Sequence, residues 1–258
     1  MNVRSTCLTV AAVLLLAPMA NAAILFMDDF DGSGGPLNGT TPDVTIGGEV
    51  WESGSSWLDD GTAGTTVAGG PDGQAAHLGF TPVDGQIYTA EASVLNNNPN
   101  WIGFGFLPTA PGSGDWTQTS FSVRHSNAPG YAWLLNRNST GNDQEGFLGG
   151  GTGGGQSWNG DNADPTNPVN VKIVLNTMAA NWTAEWSING TTMGSGPVAF
   201  GAAGNPGIGG IGFSHDRNAA ANSGGVIGNF SLSVVPEPAA GLLAMIGMLG
   251  LAASRRRA

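Results

Sequence analysis

The carboxylates are the side chains in this sequence with the most direct catalytic use. Retaining glycoside hydrolysis needs two of them about 5–5.5 Å apart. Residues two apart on one strand face the same way at close to that distance. In the signature of known glucanases the acids are spaced as Glu-x-Asp-x-x-Glu. No such run is present, and the nearest pairs stand in turn-rich contexts without a third acid at the right offset: Glu49 with Glu52, and Asp143 with Glu145.

Single carboxylates and histidines offer no better catalytic group. Glu91 and Glu185 each stand alone on a predicted strand, where a solvated face accounts for an acid without catalysis. No Gly-x-Ser-x-Gly elbow is present, and the three histidines lie far apart without metal-ligand spacing: His77, His125 and His215. The sequence therefore disfavours hydrolysis, and we expect a protein that is not an enzyme.

Closely spaced aspartates point to a cation site. Asp28, Asp29 and Asp31 lie together, as do Asp59 and Asp60. Oxygen-rich loops suit Ca²⁺, but no EF-hand or other ordered calcium loop is present. Two interpretations stay open: a structural or ligand-bridging calcium ion, and simple surface acids.

Two tryptophans are the best candidates for sugar contacts. Trp116 follows Asp115, and Trp158 stands beside Asn159, both in segments predicted to be polar loops. Exposed aromatic rings in loops are costly unless they pack or bind a ligand. They either contact glycans or form lids on the core. Four others are expected in the core: Trp101, Trp133, Trp182 and Trp186.

The charge of the chain excludes one class of partner. The formal net charge is −11 over 258 residues. Between Ile24 and Val234 there are four basic and eighteen acidic residues, a net charge of −14. Such a surface repels phosphate backbones, so we expect no nucleic-acid partner.

The N-terminus has the pattern of a secretory signal peptide. Arg4 precedes the apolar run Cys7–Ala17, and Ala20-Asn21-Ala22 forms a small-x-small cleavage site. Cleavage after Ala22 or Ala23 would make residues 1–23 the signal peptide and start the mature chain near Ile24. The single cysteine, Cys7, lies in the removed segment, so the exported part has no disulfide.

The C-terminal segment has three parts in a fixed order: Val235-Pro236-Glu237-Pro238, the uncharged run Ala239–Ala253, and Arg255-Arg256-Arg257. As a helix the run would reach about 22 Å, a short span for a hydrocarbon core of about 30 Å. Arginine clusters remain on the cytoplasmic side, which places the upstream body outside. The prolines keep a helix from entering the run from the body.

These three parts together resemble the PEP-CTERM sorting signal of Gram-negative bacteria. The resemblance implies export by the general secretion machinery, transient anchoring in the inner membrane, and cleavage near the triplet by an exosortase, a membrane transpeptidase-like enzyme. It also implies a destination at the cell surface or in the polysaccharide of a biofilm matrix. The alternative is an ordinary tail anchor that is never cut.

The segment between the two ends reads as many short strands joined by tight turns. Val169–Asn176 and Trp182–Asn189 alternate large apolar residues with polar ones, and Asn189-Gly190 is a tight-turn sequence. Ala75–Phe80 and Gln86–Leu95 are predicted to form a hairpin around residues 82–85. The count is about eleven to thirteen strands, which predicts an all-β sandwich.

The order of these strands resembles a laminin-G or concanavalin-type jelly roll. The resemblance rests on five segments: Trp101–Phe106, Val171–Leu175, Trp182–Gly190, Ile211–Phe213 and Val226–Leu232. It implies that the last strand pairs near the first, Phe26–Phe30, so that the ends of the body meet.

The sequence as a whole predicts a signal peptide over 1–23, a sandwich over 24–234 and a sorting signal with a short transmembrane helix over 235–258. We expect an exported, non-enzymatic surface or matrix protein with extracellular polysaccharide as its candidate ligand. A divergent glycoside hydrolase or lyase of the same fold is the alternative.

Overall fold

The computed structural model describes residues 22–32, 34–59, 65–67, 75–96, 101–112, 114–116, 121, 130–137, 144–149, 156–160, 168–215 and 225–236. Within them the chain forms strands and no helix, as the sequence predicts. The strands build two antiparallel sheets that pack face to face, a jelly-roll sandwich.

The larger sheet has ten strands. They are β1 (Ala23–Asp28), β2 (Gly35–Pro36), β4 (Trp57–Asp59), β5 (Thr65–Val67), β7 (Gln86–Asn96), β12 (Val169–Asn176), β13 (Asn181–Ile188), β14 (Thr191–Thr192), β15 (Val198–Ala203) and β17 (Gly225–Pro236). The path runs β14-β13-β12-β7-β17-β5-β4-β2, with β1 added to β17 and β15 to β13.

The smaller sheet has seven strands, in the order β11-β10-β9-β8-β16-β6-β3. They are β3 (Glu52–Ser53), β6 (Ala75–Gly79), β8 (Trp101–Leu107), β9 (Ala132–Arg137), β10 (Gln144–Leu148), β11 (Gln156–Gly160) and β16 (Gly210–His215).

The main core fills the space between the sheets. Alternate residues of the larger sheet point into it, as in the series Val169, Val171, Ile173, Leu175 of β12. The smaller sheet contributes Phe213, whose ring lies 4.5 Å from Trp57 and 5.1 Å from Trp51 between ring centroids. Burial of these large apolar side chains supplies most of the stabilising free energy.

Several sequence predictions are confirmed. β12 and β13 form the predicted hairpin. Asn189 and Gly190, which join β13 to β14, take positive φ angles of 49° and 80°, as a two-residue turn requires. β1 pairs with β17, so the two ends of the body meet. The rings of Trp182 and Trp186 are buried in the main core.

The predicted hairpin around residues 82–85 is wrong. β6 pairs with β16 and β3 in the smaller sheet, whereas β7 pairs with β12 and β17 in the larger one. The turn therefore carries the chain from one sheet to the other. It is fixed there by Thr177, whose hydroxyl donates to Val83 O at 2.7 Å and whose backbone N–H donates to Gln86 O at 2.9 Å.

Three further predictions from the sequence need correction. The apolar residues of Glu49–Trp51 predict a strand, but the nearest strand begins at Glu52. The glycine-rich composition of residues 146–168 predicts the least structured stretch of the body, but this stretch contains the end of β10 and all of β11. The strands number seventeen in the described part, because two- and three-residue pairings add to the eleven to thirteen expected. The sequence also predicts a strand at Ser120–His125, of which only Phe121 lies within the described residues.

Candidate functional site

The outer face of each sheet offers a surface for a functional site. Every described residue of β8 and β16 is buried, although only alternate residues face the main core. The other residues lie under a second apolar cluster on the outer face of the smaller sheet, which we call the outer aromatic cluster. Its members are Ala75, Trp101, Leu107, Trp116, Phe121, Trp133, Leu135 and Phe147.

Glycine makes this outer layer possible. A Cβ at Gly105, where φ is 154°, would collide with the backbone of Ala132 and Trp133 on the neighbouring strand. The alternation of glycine with large residues in β8 therefore reflects close strand packing. Trp133 uses the space that remains and stacks on Phe147 at 4.2 Å between ring centroids.

Trp116 belongs to the outer aromatic cluster. It is 9% exposed, and its ring lies 5.4 Å from that of Phe121 and 6.1 Å from that of His77. The ring therefore packs on the outer face of the smaller sheet, and contact of Trp116 with glycans stays a prediction. Trp158 lies on β11 opposite Gly146, not in a loop as expected, and its side chain lies outside the description.

His77 is the buried titratable group beneath this lid. Its Nε2 lies 3.1 Å from Pro108 O, so Nε2 carries the proton and donates it to that carbonyl. Nδ1 is buried and accepts no hydrogen bond from the described residues. Burial lowers the pKa of His77 to about 4, with the bond to Pro108 opposing the shift, so the imidazole is neutral at pH 7.

The carboxylates of the smaller sheet do not form a catalytic pair. Glu145 on β10 is buried, and its Oε2 lies 2.5 Å from Arg137 Nη2. Glu52 stands on β3 at the other edge, five strand spacings away, or roughly 24 Å. Asp143 lies outside the described residues. This separation is far beyond the 5–9.5 Å or so of glycosidase acid pairs.

His215, like His77, is buried and contacts side chains of the protein interior. His215 Nε2 lies 2.9 Å from Ser56 Oγ, and both residues are buried, with exposed fractions of 2% and 5%. The Trp57 ring packs against His215 at 5.5 Å between centroids. A nucleophilic serine needs access to substrate, so this pair instead ties residues 54–57 to the end of β16. His125 lies outside the described residues.

The aspartates near β1 form a group that differs from the predicted one. Oxygen atoms of Asp28, Asp29 and Asp43 lie within 4.8 Å of one another, and Asp31 is not in the group. Asp28 already accepts hydrogen bonds from Trp51 Nε1 at 2.6 Å and from Phe30 N at 2.8 Å. Burial raises the pKa of Asp28 to about 6, with Asp43 and Asp59 adding to the rise.

Calcium binding by these aspartates stays a prediction. A rise in the thermal midpoint of unfolding on adding Ca²⁺ would test it.

The outer face of the larger sheet is polar and holds a shallow groove of about 570 Å³, the large-sheet groove. Its lining includes Glu91, Asn170, Lys172, Glu185, Thr192 and Ser231. Lys172 Nζ lies 3.5 Å from Glu91 Oε1, and Thr192 Oγ1 lies 3.4 Å from Glu185 Oε1. These groups both donate and accept hydrogen bonds.

Glu91 and Glu185 line this groove from different strands. Glu91 stands opposite Lys172 and Glu185 opposite Val174, so the two glutamates are two strands and two residues apart. Strand geometry puts their Cα atoms roughly 12 Å from each other. The sequence places both acids on a wet face. It did not predict the groove, because the pairing of β7 with β12 joins distant parts of the chain.

The last strand runs into the proposed sorting motif. Val235 stands opposite Ile87 and Pro236 opposite Gln86, so half of the Val-Pro-Glu-Pro sequence belongs to the sheet. No helix in the described part is long and apolar enough to cross a membrane. The run Ala239–Ala253, the arginines Arg255–Arg257 and most of the signal peptide lie outside the described residues.

A family model for the PEP-CTERM protein-sorting motif matches residues 234–257. The resemblance found in the sequence is thereby confirmed, and the motif implies a secreted protein that is anchored transiently in the membrane and processed by an exosortase. No curated protein matches this chain.

Among solved structures, this chain is similar to an endo-1,3-beta-glucanase from Streptomyces sioyaensis. The identity is 15% and the TM-score is 0.54, over 85% of this chain and 98% of that one. A protein of unknown function with a galectin-like fold from Bacillus subtilis matches at 15% identity and a TM-score of 0.49, over 83% and 98% of the chains. A lectin from Bauhinia forficata in complex with GalNAc matches at 7% identity and 0.47, over 84% and 99%. At these identities the likeness concerns the fold, a concanavalin-like jelly roll.

Proposed function

We propose that this chain is an exported, exosortase-processed protein of the cell surface or extracellular matrix, without enzymatic activity, that binds carbohydrate. The observation that carries the proposal is the sorting motif at residues 234–257, which begins inside the last strand of the sandwich. The jelly roll supplies the body that the motif delivers, from a Gram-negative inner membrane to the outside.

Mass spectrometry of both ends of the native protein tests the sorting half. We expect an N-terminus near Ile24 and a C-terminus close to the Pro-Glu-Pro triplet. A Pro238→Ala variant should retain more of the tail, whereas Ser195→Ala, a control in the exposed turn before β15, should be cut normally. A mature C-terminus at Ala258 would reject processing and leave the uncut tail anchor as the correct reading.

The positions of the described acids support a protein that is not an enzyme. Glu145 is paired with Arg137, Glu52 is five strands away, and the outer aromatic cluster covers the face between them. The competing proposal is a divergent glycoside hydrolase or lyase, because the fold is shared with an endo-1,3-beta-glucanase. A panel of β-glucans and alginate tests both. Turnover that Glu145→Gln abolishes would favour the enzyme.

The large-sheet groove supports carbohydrate binding. Hydroxyl, amide and carboxylate groups line one open surface, and sugar hydroxyls need such mixed donors and acceptors. Uncharged polar ligands suit the groove better than anionic ones, since the body around it carries a net charge of −14.

Retention on immobilised cell-derived polysaccharide tests this binding. Asn170→Ala and Glu185→Ala should each weaken retention, and Thr89→Ala should not, because Thr89 lies on β7 outside the groove lining. Trp158→Ala tests the remaining tryptophan candidate in the same assay. No retention of the unmodified protein on any polymer would reject carbohydrate binding and leave a structural matrix role.

A further inference from the structure

The end of the sandwich from which the motif leaves has a definite position. Val234 pairs with Ala23 on one side and Tyr88 on the other, and Pro236 pairs with Gln86. We call this the tail end. The turn at residues 177–180 lies at the same end, because Thr177 is bonded to Val83 and Gln86.

The chain between the sheet and the apolar run is very short. Only Glu237 and Pro238 separate Pro236 from Ala239. Three residue steps of fully extended chain span at most about 11 Å. Eight residues of β12 measure roughly 27 Å along the strand, so the sandwich is more than twice as long as its tether can reach. If the apolar run lies in the membrane, the tail end faces the bilayer closely.

The chemistry of the tail end fits a bilayer. Ile24, Ile46 and Val83 expose 50%, 62% and 57% of their surface, and Met178 in the nearby turn exposes 39%. Leu25, Ile46, Val83 and Val234 help to line a groove of about 580 Å³, the tail-end groove. The turn at the opposite end of the β12–β13 hairpin is polar, with Asn189, Gly190 and Thr191.

The tail-end groove carries a single charged group in its lining, Glu49. That carboxylate accepts a hydrogen bond from Gly47 N at 2.8 Å and another from the Thr45 hydroxyl. These bonds lower the pKa of Glu49 and keep it ionised. A negative group beside an apolar surface favours zwitterionic over anionic lipid headgroups.

We propose that the tail end rests on the surface of a zwitterionic bilayer while the tail is inserted, with Ile24, Ile46 and Val83 in contact with lipid. The contact holds Glu237 and Pro238 at the membrane–water interface, within reach of a membrane-embedded processing enzyme. The proposal rests on the proposed function, because it takes the apolar run as the anchor.

Depth-dependent fluorescence quenching tests the contact. The chain without its signal peptide, residues 24–258, contains no cysteine and is reconstituted in phosphatidylcholine nanodiscs that contain nitroxide-labelled phosphatidylcholine. A bimane probe is placed at Val83→Cys or Ile46→Cys, with Thr191→Cys as the matched exposed control. We expect several-fold stronger quenching at the two tail-end sites than at Thr191.

A second set of variants separates lipid contact from mere nearness. Ile46→Ser combined with Val83→Ser should reduce the quenching of a probe at Ile24→Cys, and Thr192→Ser should leave it unchanged. Quenching that the double variant does not reduce would overturn the apolar contact.

The outcomes distinguish this inference from its premise. If the chain does not co-purify with the nanodiscs, both the anchoring and the lipid contact are overturned. If it co-purifies but quenching is equally weak at all sites, the lipid contact alone is overturned. Weak lipid quenching, together with burial of the probe from solvent that increases with protein concentration, would show that the tail end binds a second copy of the chain. That result would overturn lipid contact.

Discussion

The two outer faces of the sandwich are built on opposite principles. The face of the larger sheet is polar, with strands that alternate in period two and a shallow groove at its centre. The face of the smaller sheet is covered by the outer aromatic cluster, so its strands are buried on both sides. The comparison shows that the larger sheet leaves polar groups open to solvent, whereas the described part of the smaller sheet buries its outer face under apolar side chains.

The largest expected effect concerns a tryptophan of the outer aromatic cluster. Trp133→Ala removes a fully buried ring that stacks on Phe147 and donates to Gly149 O at 3.2 Å. We expect a loss of about 3–5 kcal/mol in the free energy of unfolding, measured by denaturant titration. A loss below about 1 kcal/mol would show that the cluster is a loose cover and not a second core.

His77, under the same cover, gives stability a pH dependence. Its folded pKa of about 4 lies below the ordinary value of 6.5, so the unfolded chain binds the proton more tightly. The part of the free energy of unfolding that depends on the protonation of His77 is fully present above pH 6.5. It is lost as the pH falls towards 4, by about 3 kcal/mol in total. Relative to the parent, a His77→Gln variant should therefore gain up to the same amount in the free energy of unfolding as the pH falls through this range, measured by denaturant titration at each pH.

Asp28 acts in the opposite direction and serves as the control. Its folded pKa of about 6 lies above 3.8, so its contribution favours the folded state at low pH and is lost as the pH rises from about 4 to 6. An Asp28→Asn variant lacks this opposing gain. Its free energy of unfolding should therefore fall more steeply with decreasing pH than that of the parent. If both variants follow the parent curve, neither group titrates as the structure implies.

The two faces also offer a matched pair of ion pairs. Arg137 and Glu145 on the smaller sheet have side chains 27% and 10% exposed, whereas Lys172 and Glu91 on the larger sheet are 43% and 51% exposed. Arg137→Met leaves a buried carboxylate without its cation and should cost about 1.5–3 kcal/mol. Lys172→Met should cost about 1 kcal/mol or less, and salt should reduce that cost. Equal costs would mean that the two faces are equally solvated.

The smallest effect is expected in the large-sheet groove. Glu185→Ala removes a carboxylate from a solvated face, so the free energy of unfolding should change by no more than about 0.5 kcal/mol in a denaturant titration. The same variant should weaken retention on polysaccharide. A large loss of stability would indicate that the groove is maintained for folding and not for binding.

The sequence predicts those parts of the fold that local pattern and short connections determine. The β12–β13 hairpin follows from alternation, and the tight connection from β13 to β14 follows from the Asn189-Gly190 turn. Residues 82–85 resemble an equally good hairpin turn, yet they cross between sheets, because the destination of β7 is set by pairing with β12 and β17. β10 and β11 lie in a glycine-rich stretch whose composition conceals their partners.

For the candidate sites, as for the fold, the sequence predicts what local spacing determines and not what distant strands bring together. The outer-face positions of Glu91 and Glu185 follow from the alternation of their strands. The burial of Trp116 does not, because the polar residues around it predict exposure while His77 and Phe121 receive its ring from distant strands. Asp43 joins Asp28 and Asp29 through the bridge between Met27 and Val44, a contact that no local pattern reveals.

The pairing of β1 with β17 also dictates an order of events. The first strand of the body finds its place only beside the last one, some two hundred residues later, and β17 itself lies against β7 in the larger sheet. Contacts between such distant segments make folding slow. In a secreted chain that emerges N-terminus first, the larger sheet can therefore be completed only after Val234 has emerged, and the sandwich closes last.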